Sequence, residues 1–191
     1  LRAAVRAART AAARLSDDDA WTRPEEIRID GDDPSVRAFA GRQRHVVLEG
    51  CGGMDPLDLA EYERRGGGSA LAACLAEMTP DEVIETVAAS GLRGRGGAGF
   101  PTGAKWLAVR RQPGAEKYVV MNGDEGDPGA FMNRMQLESY PYRVLEGIVI
   151  AAYACGASDA RLYIRAEYPL AVARMREAIR RAEERGWVGD R

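Results

Sequence analysis

From Thr79 onward the apolar positions alternate between two periods. Val83, Ile84, Val87 and Ala88 fall on one face of a helix. The residues before them supply its start: Thr79 as N-cap, Pro80 in the first turn, and Glu82 three residues on to complete a capping box. Gly91 stands where such a helix stops. Residues 117–121 (KYVVM) form a short β-rich run between breakers and predict a buried strand. Val144, Leu145, Ile148, Ala152 and Cys155 return to helical spacing after Pro141, with Gly156 as the stop. Residues 161–165 (RLYIR) predict a second strand, and Val172, Met175, Ile179 and Ala182 a last helix closed by Gly186. The order helix, loop, strand, helix, strand, helix predicts an α/β fold with a mostly parallel sheet and flanking helices.

The first part of the chain carries weaker signals. Residues 1–15 are rich in Ala and Arg and hold no acid, so they read as an amphipathic helix or a transit-type segment, closed by Asp17, Asp18 and Asp19. Residues 30–34 (DGDDP) read as a turn or linker, and residues 45–49 (HVVLE) as a short strand ended by Gly50. Gly66, Gly67 and Gly68 make a further break. We therefore expect a mainly helical N-terminal segment or linker over residues 1–44 and a ligand-binding domain over residues 45–191. Leu1 is not Met, and the simplest expectation is a piece of a longer protein.

Composition narrows the function classes. With 46% hydrophobic and 29% charged residues, the 191-residue chain has the make-up of a globular protein. Its formal net charge of −2, with no basic patch interleaved with aromatics, argues against nucleic acid. No apolar run reaches the roughly 18 residues of a membrane-spanning helix, so no direct membrane insertion is expected. The three cysteines, Cys51, Cys74 and Cys155, match no zinc or iron–sulfur spacing. They read as free thiols in a reducing, cytoplasmic setting. No metal site is expected. His45, the only histidine, assembles no catalytic set and reads as structural.

Two segments carry the chemistry. Residues 91–103 (GLRGRGGAGFPTG) hold six glycines in thirteen positions, followed by Lys105. Glycines let a ligand approach the backbone, and successive exposed N–H groups can form a nest for phosphate oxygens. Arg93, Arg95 and Lys105 add positive donors. A helix beginning near residues 102–105 would aim its positive end at the same anion. A helix rather than a strand precedes the loop, so it is not the usual dinucleotide fingerprint. It lacks the P-loop spacing as well. The plain alternative is a flexible linker, against which the interleaved arginines, Phe100 and Pro101 argue. The second segment, residues 122–131 (NGDEGDPGAF), directly follows the first predicted strand. Ligands of open α/β sheets sit at such strand ends. Its acids and Asn122 could hydrogen-bond ribose or ribityl hydroxyls and a ring edge. A calcium loop is the rival, but the EF-hand alternation is absent. A solvated acidic turn is the remaining alternative.

Through these segments the chain resembles the NADH- and FMN-binding flavoprotein subunit of respiratory complex I and its soluble relatives, the diaphorase subunits of NAD-linked hydrogenases and formate dehydrogenases. The likeness rests on SGLRGRGGAGFPTGAKW (90–106), NGDEGDPGAF (122–131), LEGIVIAAYACGA (145–157) and YIRAEYPLAVARMREAI (163–179), and extends over about residues 46–190. GCGGMDPLDLAEYERRGGGSAL (50–71) is closer to the soluble diaphorase branch. The resemblance implies a Rossmann-like FMN/NADH-binding domain over residues 45–191. It implies hydride transfer from NADH to FMN without a protein acid or base, so no catalytic side chain, and electron exit to iron–sulfur subunits of a hetero-oligomeric dehydrogenase or hydrogenase complex. Such a complex would be cytoplasmic or lie on the cytoplasmic face of a membrane assembly. By match to the motifs, Gly94, Arg95, Gly96, Gly97 and Lys105 would hold FMN, with Asn122, Asp124 and Glu125. Phe100 and Asp127 would face NADH, the acid disfavouring a 2′-phosphate. The family usually has Ala at Gly123, Asp at Asn133 and His at Tyr142. Its second glycine loop and its Cys-rich C-terminal cluster motif do not occur here, so an iron–sulfur cluster is expected only beyond this stretch. A degenerate relative that serves only as a subunit-docking scaffold is the alternative. The DEGDP acids argue against a third reading, the sodium-pumping relatives with their NGAECEP-type motif.

Overall fold

The computed structural model describes residues 33–189. Within them, two compact units separate between Glu49 and Gly50. The reading of residues 1–15 as an amphipathic helix lies outside the described residues. In the smaller unit, α1 (Pro34–Ala40) opens on Asp33, whose carboxylate accepts the N–H groups of Ser35 and Val36 at 2.7 and 3.4 Å. Of the turn or linker expected over residues 30–34, only Asp33 and Pro34 are among the described residues, and they start this helix. The strand expected at residues 45–49 does not form. This stretch is irregular and turn-like, with Val46 and Val47 63% and 53% exposed. β-Propensity reflects packing on a pleated surface and does not hold a strand where that surface is lacking.

The larger unit contains α2 (Leu59–Arg64), α3 (Ser69–Glu77), α4 (Pro80–Ala89), α5 (Thr102–Arg110), β1 (Tyr118–Gly123), α6 (Met132–Ser139), α7 (Pro141–Cys155), β2 (Asp159–Ile164) and α8 (Pro169–Arg185). The expected α/β class holds, and the two strands are parallel, with Val119 opposite Ala160 and Asn122 opposite Tyr163. The capping box of α4 forms as read: Thr79 Oγ1 accepts Glu82 N–H, and the Glu82 carboxylate accepts Thr79 N–H at 2.7 Å. Gly156 and Gly186 close α7 and α8 in the left-handed conformation. α2, α3 and α6 are additions to the predicted order. They are six to nine residues long, too short to show a periodic stripe in the sequence.

β1 is not the buried strand its composition suggested. Tyr118 and Val120 are 49% and 64% exposed, while the alternate residues Val119 and Met121 pack onto the core. A two-stranded sheet covered by helices on one face buries every second residue and leaves the other face open.

α7 is the central element. It packs against α3, α4, α5, α6, α8 and both strands. Leu145, Ile148 and Val149 join the main core with Leu137, Tyr142, Met175 and Ile179. Ala154, near its end, joins a second cluster with Cys74, Val83 and Ile84. Tyr142, at the position where the family usually has His, is 1% exposed and donates its hydroxyl to the Leu57 carbonyl at 2.8 Å. Cys51, Cys74 and Cys155 are free, and burial pushes all three thiols up.

Among the described residues Glu146 is the one charged group buried in this core, at 8% exposure. Its carboxylate accepts the Tyr62 hydroxyl at 2.6 Å, Gly68 N–H at 2.9 Å and Leu71 N–H at 3.1 Å. The two amides belong to the first turn of α3, whose N-cap, Gly68, has no side chain of its own to cap with. Gly67 is needed beside them, because a Cβ there would lie 2.2 Å from the Tyr62 ring. Burial, and then the bond to Glu146, push the Tyr62 phenol well above its ordinary range. Replacing Glu146 by Ala strands three donors, and we expect a loss of about 3–5 kcal/mol in urea unfolding. Tyr62→Phe, which removes one donor and keeps the ring, is expected to cost about 1 kcal/mol.

Candidate functional site

The glycine segment is a closed loop with an open tip. Gly91 ends α4, and the chain then pairs with itself: Gly94 N–H donates to the Phe100 carbonyl and Thr102 N–H to the Leu92 carbonyl, both at 2.9 Å. Arg93 and Pro101 face each other in an antiparallel bridge at this neck. Beyond it, Gly97 and Gly99 take φ of +104° and +61°, a region that side chains disfavour. A Cβ added at Gly96, Gly97 or Gly99 would meet nothing within 4 Å, so the tip is an exposed ledge of backbone.

Along the sequence the charges of this loop and of α5 have one sign. No acid occurs between Glu85 and Glu116, whereas Arg93, Arg95, Lys105, Arg110 and Arg111 all lie there. Arg93 spends one donor on the Gly99 carbonyl and Arg95 one on the Arg93 carbonyl, each at 3.0 Å. Both guanidinium groups thereby brace the loop and keep further N–H groups available. Arg110 is turned away, onto Asp81 at 2.6 Å. Lys105, one turn into α5, is exposed. α5 begins directly after the neck with Pro101 as N-cap and no side-chain cap, so its positive end has no protein acceptor of that kind. Gly103 is buried where α5 crosses α4: a Cβ there would come within 2.6–2.7 Å of the Ala88 side chain and backbone.

The acidic segment is a turn at the carboxyl end of β1. Asn122 Oδ1 accepts Asp124 N–H at 2.7 Å, a side-chain turn of the Asx kind. Gly123, where the family usually has Ala, is buried. A Cβ there would lie 2.9 Å from the Tyr163 carbonyl and 3.0 Å from Leu137 Cδ1, so glycine suits this packing. Glu125 points inward: its two carboxylate oxygens accept the N–H groups of Asn133 at 2.8 Å and Arg134 at 3.0 Å, in the first turn of α6. The N-cap of that helix, Phe131, offers no side-chain bond, and Glu125 takes over its role. The Glu125 carbonyl accepts from Arg165 Nη1 at 2.8 Å and from the Tyr168 hydroxyl at 3.2 Å. Asp124 is half exposed with Arg165 Nε at 3.8 Å, and Asp127 is exposed.

Of the residues singled out in the sequence, Gly94, Arg95, Gly96, Gly97, Phe100 and Lys105 cluster on the basic loop and the first turns of α5. Asn122, Asp124 and Asp127 share the acidic turn as solvent-facing groups, while the Glu125 carboxylate is already occupied. Among the described residues no hydrogen bond or ion pair joins the two segments. They have a common support instead, since α5 and β1 both pack on α7. Phe100 and Phe131, one beside each segment, are each 57% exposed. Sequence reasoning passed over Arg165 and Tyr168, and counted Gly103 only as a loop glycine. Arg165 and Tyr168 lie within the YIRAEY stretch that carried part of the resemblance, but no spacing rule marks a residue that acts through a neighbouring turn.

An anionic, hydroxyl-bearing ligand with a polar ring suits this donor set. The basic loop offers open backbone, cationic side chains and an uncapped helix end. The acidic turn offers amide and carboxylate acceptors. FMN has these features, and the residues present fit it.

The Nuo51 FMN-binding domain matches residues 87–189. The chain is 50% identical over 131 residues to the F 2 component of the NADH-quinone oxidoreductase of Rhizobium meliloti (strain 1021), covering 69% of this chain and 31% of that protein. It is 47% identical over 149 residues to the HndC component of the NADP-reducing hydrogenase of Solidesulfovibrio fructosivorans, covering 78% and 30%. The chain thus spans about a third of these curated relatives. Among solved structures, the air-oxidised NAD+-reducing [NiFe]-hydrogenase contains a chain that superposes with a TM-score of 0.58 at 34% identity, covering 75% of this chain and 24% of that one. The H2-reduced form gives 0.53 at 41% identity, covering 57% and 19%.

Close packing at Gly103 makes a direct test of how the basic loop is carried. Gly103→Ala is expected to push α5 off α4 and to lower stability by about 1–3 kcal/mol in urea unfolding. An unchanged midpoint would show that the crossing is loose.

Proposed function

Because this chain belongs to the Nuo51 FMN-binding domain family, we propose that it forms the FMN-phosphate and flavin-edge part of an NADH-oxidising subunit. The observation that carries the reading is the open glycine ledge, in a stretch whose only charged side chains are basic, at the start of an uncapped helix and resting on the same helix as the acidic turn. When bound, FMN would supply a hydride acceptor for NADH that can pass electrons on one at a time to iron–sulfur partners.

The chain's own residues bind and orient. The backbone of Gly94, Gly96 and Gly97 approaches the phosphate without side-chain hindrance, and Arg95 and Lys105 neutralise it. Asn122 and Asp124 hold the flavin's polar edge or ribityl hydroxyls from the end of β1. Glu125 keeps those two residues in place through α6, a supporting role in place of the direct contact that the motif match implied. Phe100 stacks on the nicotinamide nucleotide. Asp127, free of any ion pair in the described residues, faces the adenosine ribose and repels a 2′-phosphate. No side chain exchanges a proton with substrate in this scheme. Iron–sulfur subunits of a larger dehydrogenase or hydrogenase are the partners, in a cytoplasmic or membrane-peripheral complex. No described helix is long and apolar enough to cross a membrane.

The test uses the protein produced from its complete gene. It should carry FMN, show the flavin absorption bands and reduce ferricyanide with NADH. Lys105→Ala should weaken FMN binding about tenfold, and added salt should weaken the wild type more than this variant. Asp127→Asn should narrow the preference for NADH over NADPH, read as the ratio of kcat/KM values. A colourless product indifferent to FMN would overturn the reading and leave a docking scaffold in its place.

A further inference from the structure

The link between β2 and α8 is a single turn, closed by Tyr168 N–H donating to the Arg165 carbonyl at 3.1 Å. This turn sends two side chains to one acceptor on another segment. Arg165 Nη1 and the Tyr168 hydroxyl both donate to the Glu125 carbonyl, at 2.8 and 3.2 Å. Saturating that oxygen from two sides fixes the plane of the Glu125–Gly126 peptide, in the middle of the acidic turn. Arg165 is itself held by Glu167, with Nη2 donating at 2.7 Å, and its Nε lies 3.8 Å from Asp124 Oδ1. Tyr168 is held by the Arg134 guanidinium, 5.3 Å over its ring. Arg134 also donates its backbone N–H to the Glu125 carboxylate. Glu125 is therefore gripped at both its carbonyl and its carboxylate, while Asn122 and Asp124 beside it stay exposed. In the run Gly126-Asp127-Pro128-Gly129 that follows every residue is exposed, and its two glycines leave the backbone free to sample many conformations unless the turn is held.

We propose that Arg165, with Tyr168, is a positioning residue for flavin nucleotide binding: it touches no ligand and acts by holding the turn over residues 122–127 so that Asn122 and Asp124 are preset to receive it. The proposal rests on the nucleotide reading of this turn. It assigns Arg165 a role that charge alone would not, since a lone cation here would serve equally as a phosphate ligand. Preorganisation of this kind raises affinity by removing the ordering cost from the binding step.

The experiment uses the protein produced from its complete gene, with FMN titration followed by flavin fluorescence and amide hydrogen exchange measured without FMN. Arg165→Met keeps the aliphatic stem and removes the donors. It should speed exchange at Gly126, Asp127, Asn133 and Arg134 and weaken FMN about tenfold, the scale of one charge-assisted hydrogen bond. Tyr168→Phe should do the same to a smaller degree. In an Asp124→Asn background, Arg165→Met should add much less than its full effect, because both changes act through one turn. An equal loss in both backgrounds would mean general destabilisation and would overturn the proposal. So would an Arg165→Met protein that keeps wild-type FMN affinity, or one whose turn exchanges no faster. A wild-type protein that takes no FMN would instead overturn the nucleotide reading itself, and the positioning role with it. The exchange measurement separates the two failures, since it reports the anchoring of the turn with no ligand present.

Discussion

A carboxylate removed from water inside an apolar core is the constraint on which the larger unit is built. Glu146 lies in the middle of α7, among Leu145, Ile148 and Val149. Its desolvation is offset by three donors brought from elsewhere: the Tyr62 hydroxyl of α2 and two amides at the start of α3. The requirement is mutual, because the first turn of α3 has no cap of its own. Hydrophobic burial is tolerant of small shifts, whereas this arrangement holds only in one register. It fixes α2 and α3 on α7, and α7 then serves as the platform for α5 and β1, the elements beside the basic loop and the acidic turn.

The two segments on that platform are built on opposite principles. The glycine loop is closed at its neck by backbone hydrogen bonds and left open at its tip, so what it exposes is main chain and cationic side chains. The acidic turn is short and is held by side chains from outside it: α6 amides on the Glu125 carboxylate, Arg165 and Tyr168 on its carbonyl. One segment therefore presents backbone and is rigid by its own pairing. The other presents side chains and is rigid through its neighbours. Their charges are opposite, which suits a ligand with an anionic phosphate at one end and neutral, hydrogen-bonding groups at the other.

Glu125 shows why motif matching and geometry can divide the labour differently. In the sequence, Asp124 and Glu125 are adjacent acids to which the motif match gives the same role. In the fold, one of them is turned inward, because α6 begins at Phe131 without a side-chain acceptor and its first amides need one. The acid that supplies it is six residues upstream of that N-cap, outside the range that any local capping pattern covers. The same holds for Arg165, forty residues from the carbonyl it holds.

By itself the sequence determined the elements with long periodic stripes and strong end signals. α4 with its capping box, α7 after Pro141, α8 up to Gly186 and the helix following the glycine loop were all legible, because caps and apolar periodicity are local properties of the chain. So were the two parallel strands, the basic loop and the acidic turn, as clusters of residue types. Only the tertiary structure decided that β1 has one open face, that residues 45–49 form no strand, and that α2, α3 and α6 exist at all. It also decided that Gly103 marks a helix crossing, that the Glu125 carboxylate caps α6 while Arg165 bonds its carbonyl, and that Glu146 orders the core. Each of these depends on partners distant in sequence, and a hydrogen bond or close contact between distant residues leaves no periodic trace in either of them.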